Sequence, residues 1–553
     1  MEKRTILAFA LSFLVLILWS FLFNPNKDQI SKKDEIPETV APKTVPRSPE
    51  TAIEPPAAIS KGPEITKIKP AVETHEKEVV VDTPFYRAVF TNAGPTIKSF
   101  KLKKYRESIE PDSPLVELIN LQQDKSKFLV VSFDGASASQ LEKPLYHVEQ
   151  QKIQLKSDSS PKNLVFHAST SGGISISQTY RFYPDQYRID LHIDVINQSG
   201  ESVTGSFVTD MKALPPEGKK SYYSYVGIVL LLNDKLEKVK IKKASEPKDQ
   251  AGRVDWMAYE DAFFISAVIP DQPSKASFKG RLLPSGILEA TYMPPSISLH
   301  PSDRASSSYT LYLGPRELGT LKQLGKNLER AVTFGWTDII AKPLLYLLRF
   351  FNQYIHNYGV SIILLTILIK ILFWPLTHKS YKSMKEMQKL QPRMAKMREK
   401  YKNNKAQLNK EMMALYKTYK VNPMGGCLPM IIQLPVFFAL FRILGSAIEL
   451  RQAPFMLWIN DLSAPDRLFN FPFTIPFMSP PYGIPVLTLL MGASMFLQQK
   501  MTPTPGDPTQ AKIMMFLPLI FTFMFINFPS GLVLYWLVNN ILSIGQQYRI
   551  HKS

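Results

Sequence analysis

Apolar and polar residues follow two distinct patterns along this chain. From about Val79 to Pro315 they alternate in short runs, as in Tyr187-Arg-Ile-Asp-Leu-His-Ile-Asp-Val195 and Ser308-Tyr-Thr-Leu-Tyr-Leu313. Alternation with period two buries one face of a strand and wets the other. Turn residues punctuate the runs at Asn92-Ala-Gly-Pro95, Gly172-Gly173 and Ser199-Gly-Glu201. This pattern predicts a large antiparallel β-sandwich. On either side of it the pattern becomes continuously apolar. Six stretches are candidate membrane helices: Ile6–Phe23, Ile355–Leu376, Leu428–Ala447, Tyr482–Leu497, Ile513–Phe528 and Leu532–Ile544. A span needs about 20 apolar residues, so the shorter stretches have soft boundaries.

Two connecting segments differ from both patterns. Asn24 to Glu78 holds nine prolines among Glu, Lys, Thr and Ala, a composition that cannot bury a core and predicts a flexible linker. Leu321 to Phe351 mixes Lys, Arg and Glu with Leu, Phe and Trp336, which predicts an amphipathic helix lying on a membrane surface. The expected organisation is a signal-anchor helix (1–23), the linker (24–78), the β-domain (79–320), an interfacial helix (321–352) and a second span (353–377). A cytoplasmic helical hairpin (378–423), four further spans (424–548) and a short cytoplasmic tail (549–553) complete it.

Charge orients these elements. The chain carries a net charge of +19, and Lys379 to Lys420 alone holds 13 Lys/Arg against 3 acids. Basic residues in short loops mark the cytoplasmic side. Lys3-Arg4, the basic block, Lys500, Lys512, Arg549 and Lys552 then lie inside, so both termini are cytoplasmic and the β-domain is outside. Within the block, Met384, Met387, Leu390, Met394, Met397 and Tyr401 recur every three or four residues, as do Leu408, Met412, Leu415 and Tyr419. Asn403-Asn404 marks a turn between two helical arms, and Pro392 should kink or restart the first arm. The stripes read as the seam of an antiparallel pair or as an adaptable surface for apolar segments. The basic face, with Lys382, Lys385, Lys389, Lys396 and Lys400, suits anionic lipid or ribosomal RNA.

Lys370 stands inside the second span, six residues before Leu376, and no candidate span contains an acid to pair with it. A charge near the bilayer centre costs roughly 2.5–3.5 kcal/mol. The nearer end of the span is about 9 Å away, and the Cβ tilts toward the other end, so snorkelling is the less economical reading and a hydrated polar site the better one. Thr366 lies one turn before it on the same face. Gln433, Asn539 and Asn540, with Thr488, Ser494, Gln498 and Thr522, add polarity inside other spans. Each alone reads as interhelical glue; together they suggest a hydrophilic groove.

Catalytic chemistry is poorly supported. The chain has no phosphate-binding glycine loop, no cluster with metal-ligand spacing and no paired acids within the spans. His147, His167 and His192 fall in strand-like segments. The single cysteine, Cys427, rules out an intrachain disulfide. A transporter using Lys370 as an anion site and a tethered sugar-binding module stay open as alternatives. Against the first, no inverted repeat is visible; for the second, the fold alone supplies no function.

Several motifs carry a resemblance. They are Tyr381-Lys-Ser-Met384, Leu390-Gln-Pro392, Glu411-Met-Met-Ala-Leu-Tyr416, Val421-Asn-Pro-Met-Gly-Gly-Cys-Leu-Pro429, Gln433-Leu-Pro435 and Glu449-Leu-Arg-Gln-Ala-Pro454. Trp458-Ile-Asn-Asp-Leu-Ser463 and Phe528-Pro-Ser-Gly-Leu-Val-Leu-Tyr-Trp536 follow. With the first span, the Pro-rich linker and Tyr312-Leu-Gly-Pro315, the chain resembles the YidC insertase family of Gram-negative type over essentially its whole length. The resemblance implies a polytopic α-helical inner-membrane protein, with six spans, a five-helix insertase core and a periplasmic all-β supersandwich domain. It implies an insertase, foldase and chaperone without cofactor or enzymatic activity, acting alone or with the Sec translocon on nascent membrane proteins. The ribosome and the signal-recognition-particle receptor are the further partners it implies, and the basic face adds anionic lipids. The client groove would be lined by Lys370, Thr366, Gln433, Asn539, Asn540, Tyr535 and Trp536. Arg is the commoner residue at the family's groove charge. Lys here is a point charge without the bidentate fork of Arg.

Overall fold

The structure, a computed structural model, describes residues 75–119, 121, 127–135, 145–170, 172–215, 225–241, 246–419, 428–501 and 508–552. The first apolar stretch, almost all of the linker and Cys427 lie outside these residues.

Alternation in the sequence becomes strand. In Arg188–Asn197 the residues Ile189, Leu191, Ile193 and Val195 turn inward and are at most 1% exposed, while His192 faces out. A five-stranded sheet runs Leu115–Glu117, Thr96–Arg106, Tyr86–Thr91, Glu78–Asp82, Lys152–Gln154. Its last pairing is parallel, Val80 beside Lys152, so the domain is not antiparallel throughout. A 13-stranded sheet supplies the rest. Its continuity depends on one long strand, Lys248–Glu260, whose first half pairs with Lys275–Leu282 and whose second half pairs with Gly227–Leu232 and Phe264–Pro270. Aromatic side chains fill the space between the layers: Phe90 meets Tyr180 and Phe182 edge-on at 5.0 and 5.6 Å. Trp256 is fully buried.

The helical part follows. Instead of one helix over 321–352, the chain forms α1 (Leu318–Leu324), two short 3-10 turns at Leu328–Ala331 and Gly335–Thr337, then α2 (Asp338–Ile355). Gly325 and Gly335 have φ of +76° and +68°. This left-handed backbone breaks a helix and costs glycine least. One face of α2 is buried through Ala341, Leu344, Leu345 and Leu348, and Ile339, Tyr346, Phe350 and Tyr354 remain exposed.

The segments expected to form the second span and the first hairpin arm are one helix. Helix α3 runs unbroken from Tyr358 to Lys400, 43 residues, through Pro375 and Pro392. Pro392 therefore does not restart the arm. Among the described residues α3 is the one helix that is both long enough and apolar enough to cross a membrane by length and composition. Its partner arm α4 (Lys405–Thr418) is capped by Asn404, whose side chain accepts from Gln407 N. The arms close on a small core of Met387, Leu390 and Met394, with Met412, Leu415 and Tyr416 against it. Helices α5 (Leu428–Ser446), α6 (Val486–Met501), α7 (Pro508–Phe525) and α8 (Ser530–Lys552) complete the bundle. Helix α6 meets α7 closely at Gly492, where a Cβ would lie 2.1 Å from Thr522 Oγ1.

Candidate functional site

The seam between α3 and α8 is polar along much of its length. On α3, Ser361, Thr366, Lys370, Thr377 and Ser380 recur every three to seven residues and are all under 9% exposed. On α8, Asn540, Ser543, Gln546 and Gln547 do the same, each at most 3% exposed. At 3.6 residues per turn, Thr366, Lys370, Thr377 and Ser380 fall on one face of α3, as do Asn540, Ser543 and Gln547 on α8. Lys370 is 7% exposed, and its Nζ donates to Ser543 Oγ at 2.6 Å. Ser543 in turn donates to the Asn539 carbonyl at 2.7 Å. One turn further along, Gln546 Nε2 donates to Thr377 Oγ1 at 2.9 Å. No carboxylate among the described residues is ion-paired with Lys370. An ammonium has three donors; among the described residues Ser543 occupies one and leaves two.

The expected groove residues divide into three environments. Lys370 is held by Ser543, and Asn539 enters this chain of bonds only through its backbone carbonyl. Thr366 stands one turn away and returns its hydroxyl to the Ile362 carbonyl at 2.6 Å. Gln433 on α5 donates to Tyr535 Oη at 3.0 Å, and Asn540 donates to Ser494 on α6 at 3.0 Å. These two bonds tie neighbouring helices to α8. Among the described residues Trp536 joins no polar group; its ring meets Phe437 at 4.9 Å and Phe525 at 4.8 Å, both edge-on. Ser543, Gln546, Gln547, Thr377 and Ser380 were not singled out from sequence. The available signal was the spacing of 539/540, 543 and 546/547 on one face of the last helix.

The hairpin lysines also separate. Lys382, Lys389, Lys396 and Lys400 are exposed. Lys389 pairs with Glu386 at 2.8 Å. Lys385 is partly buried and donates to the Ile550 carbonyl at 3.0 Å, at the C-terminal end of α8, where a cation suits the helix dipole. Among the described residues no group of three or more His, Cys, Asp or Glu could hold a metal.

On the opposite side, the segment between α5 and α6 is braced by two adjacent charges. Asp466 is 3% exposed. Its carboxylate accepts from Trp458 Nε1 at 2.6 Å and from the backbone N–H of Leu487 at 2.5 Å, at the start of α6. Burial raises its carboxyl, and these bonds pull the other way. Arg467 donates to the carbonyls of Pro481 and Ile526, both at 2.9 Å, so it joins the segment before α6 to the end of α7.

Comparison with known proteins bears on both halves. Residues 350–553 match the family model for the 60Kd inner membrane protein, and residues 78–347 match that for the YidC periplasmic domain. A membrane protein insertase YidC from Syntrophus aciditrophicus (strain SB) is 45% identical, covering 100% of both chains. Another from Syntrophobacter fumaroxidans (strain DSM 10017 / MPOB) is 41% identical, also over 100% of both. A crystal structure of an active YidC insertase, with its first transmembrane domain resolved, is 17% identical, covers 87% of this chain and 94% of that one, and gives a TM-score of 0.37. With relatives this similar from end to end, the chain belongs to the YidC family of membrane protein insertases.

Proposed function

We propose that this protein inserts client segments into the inner membrane from the cytoplasm, using the α3–α8 seam as a charged, polar receiving site. The observation that carries the reading is Lys370: an ammonium deep in the helical bundle, held by one hydroxyl, with no carboxylate partner among the described residues and two donors to spare. A client's short acidic tail supplies the missing acceptor. At about 4 Å and an effective dielectric near 20, the attraction is about 4 kcal/mol. That offsets the roughly 2.5–3.5 kcal/mol cost of one acidic residue at mid-membrane. One lysine therefore assists one acid and not a heavily charged domain. The client's apolar segment then moves into lipid, where burial of its surface drives the step. No nucleotide and no enzymatic step is required.

The finer parts of the reading are six spans, both termini cytoplasmic, the β-domain periplasmic, and a chaperone role. Cooperation with the Sec translocon, the ribosome, the signal-recognition-particle receptor and anionic lipids belongs with them, with the exposed hairpin lysines as the contact. The test is depletion and complementation in cells, with protease protection of small single- and double-spanning clients. Lys370→Arg should support insertion of clients with acidic tails, and Lys370→Glu should block it. Wild-type insertion by the Glu variant would sink the mechanism.

A further inference from the structure

We infer that the hairpin between α5 and α6 is an outer-leaflet anchor, whose aromatic tip sits among lipid acyl chains and headgroups. From Leu468 to Gln499 the sequence contains no Asp, Glu, Lys, Arg or His. Phe469 in the first of two strands, Leu468–Phe471 and Tyr482–Ile484, and Phe473 and Phe477 in the loop between them are 67%, 59% and 78% exposed. Exposed phenylalanines at this density on a surface mark an interaction site. Phe469 and Phe477 have φ of +61° and +64°. That region is unfavourable for a bulky side chain, so their placement is imposed by the frame around them.

That frame is rigid and polar. Asp466 and Arg467 fix the hairpin's base, as described above. Asn527 reaches in from beyond α7: its Oδ1 accepts from Ser479 N and its Nδ2 donates to the Phe477 carbonyl, both at 2.8 Å. Backbone groups are satisfied by protein in this way where water is scarce.

Continuity identifies the occupant. Phe477 meets Phe523 of α7 edge-on at 5.5 Å. Phe523 belongs to the exposed face of α7 with Phe516, Leu519 and Ile520, each at least 54% exposed. A helix face this apolar in the bundle is solvated by lipid, so the hairpin extends the same greasy surface beyond the helix end. An uncharged aromatic tip over a polar base is the composition of an interfacial anchor. The inference rests on the membrane reading of the helices and not on insertase activity.

The test uses the full chain carrying Cys427→Ser, reconstituted in phosphatidylethanolamine–phosphatidylglycerol vesicles. Single nitroxide labels go in by Phe469→Cys, Phe473→Cys or Phe477→Cys, so that loss of one variant leaves two. Leu490→Cys on the exposed face of α6 and Glu201→Cys in the β-domain are references. Collision with oxygen, which partitions into lipid, is compared with collision with a water-soluble nickel chelate. The expected result is an oxygen-to-nickel ratio several-fold above that at Glu201 at all three hairpin sites, approaching that at Leu490. Lipid-like behaviour at Leu490 with hairpin sites as aqueous as Glu201 would overturn the anchor and leave the membrane reading standing. An aqueous Leu490 would overturn both. Nickel protection that arises only when a client is added would overturn lipid as the occupant in favour of the client.

Discussion

At the scale of single residues, the α3–α8 seam depends on a few hydroxyl and amide contacts. Ser543→Ala removes the side-chain acceptor of Lys370 and leaves a buried ammonium to find water. The expected cost is about 1–3 kcal/mol in thermal unfolding of the purified protein, with client insertion retained, since the charge remains. Gly492 makes the opposite kind of contact. An added methyl would lie 2.1 Å from Thr522 Oγ1 and 3.1 Å from Thr522 Cβ. Gly492→Ala should therefore cost about 1–3 kcal/mol, and Thr522→Ala in the same chain should recover part of it. Recovery absent in the double variant would show that α6 and α7 do not meet there. Lys370 was legible in the sequence because a charge inside an apolar run has no structural excuse. Ser543 and Gln546 were not, because polar residues near the end of the last helix look like a solvated terminus until their spacing is set against that of α3. Trp536 was legible as part of a motif but not as packing, since an indole suits either an aromatic cluster or a polar rim.

At the scale of elements, the hairpin resolves an ambiguity that its sequence leaves open. The Met stripe is closed by α4 around Met387, Leu390 and Met394, so it is a seam and not an exposed client surface. What remains available is the basic face. Replacing Lys382, Lys389, Lys396 and Lys400 with Gln should weaken co-sedimentation with anionic liposomes or ribosomes, each charge contributing about 1 kcal/mol near an anionic surface. The difference should fade with salt as screening shortens to about 10 Å near 0.1 M. Equal binding by both proteins at low salt would remove this role. Lys385→Gln should behave differently: binding stays near wild type, and the last turn of α8 becomes more susceptible to trypsin at Arg549, because the Ile550 carbonyl loses its cation. The amphipathic segment 321–352 shows the limit of periodicity. Its composition gave the two-faced character of α2, but Gly325 and Gly335 divided the segment, and a glycine inside an apolar pattern does not announce its φ.

At the scale of the whole molecule, the β-domain and the helices share a polar junction. Arg349 on α2 reaches Glu317 at 2.8 Å and Glu449 at 3.7 Å, and Arg451 donates to the Arg106 carbonyl at 2.6 Å. None of these residues belongs to the seam. Deleting the β-domain while keeping Glu317 onward should therefore leave insertion largely intact, and its complete loss in a stably expressed, correctly oriented deletion would contradict this. Deeper in the domain, Glu260 is fully buried 3.3 Å from Arg316. Burial raises its carboxyl, against the pull of Arg316 and Lys238. A carboxyl that holds its proton more tightly when folded adds stability below its unfolded value of about 4.3, and loses it as pH rises through the folded value. The melting temperature of wild type relative to Glu260→Gln should thus rise as pH is lowered from about 7 to about 5; a flat difference would mean that Glu260 stays ionised when folded and would refute the raised carboxyl. A last consequence comes from α3, which carries Lys370 and the hairpin on one rod. Lys370 to the tip at Lys400 spans about 45 Å of helix. A change in tilt of roughly 10°, inside the range of membrane helices, would swing that tip by about 8 Å. In the proposed mechanism the rod would act as a lever, through which a carboxylate arriving at Lys370 and a large body resting on the hairpin would each move the other without any contact between them.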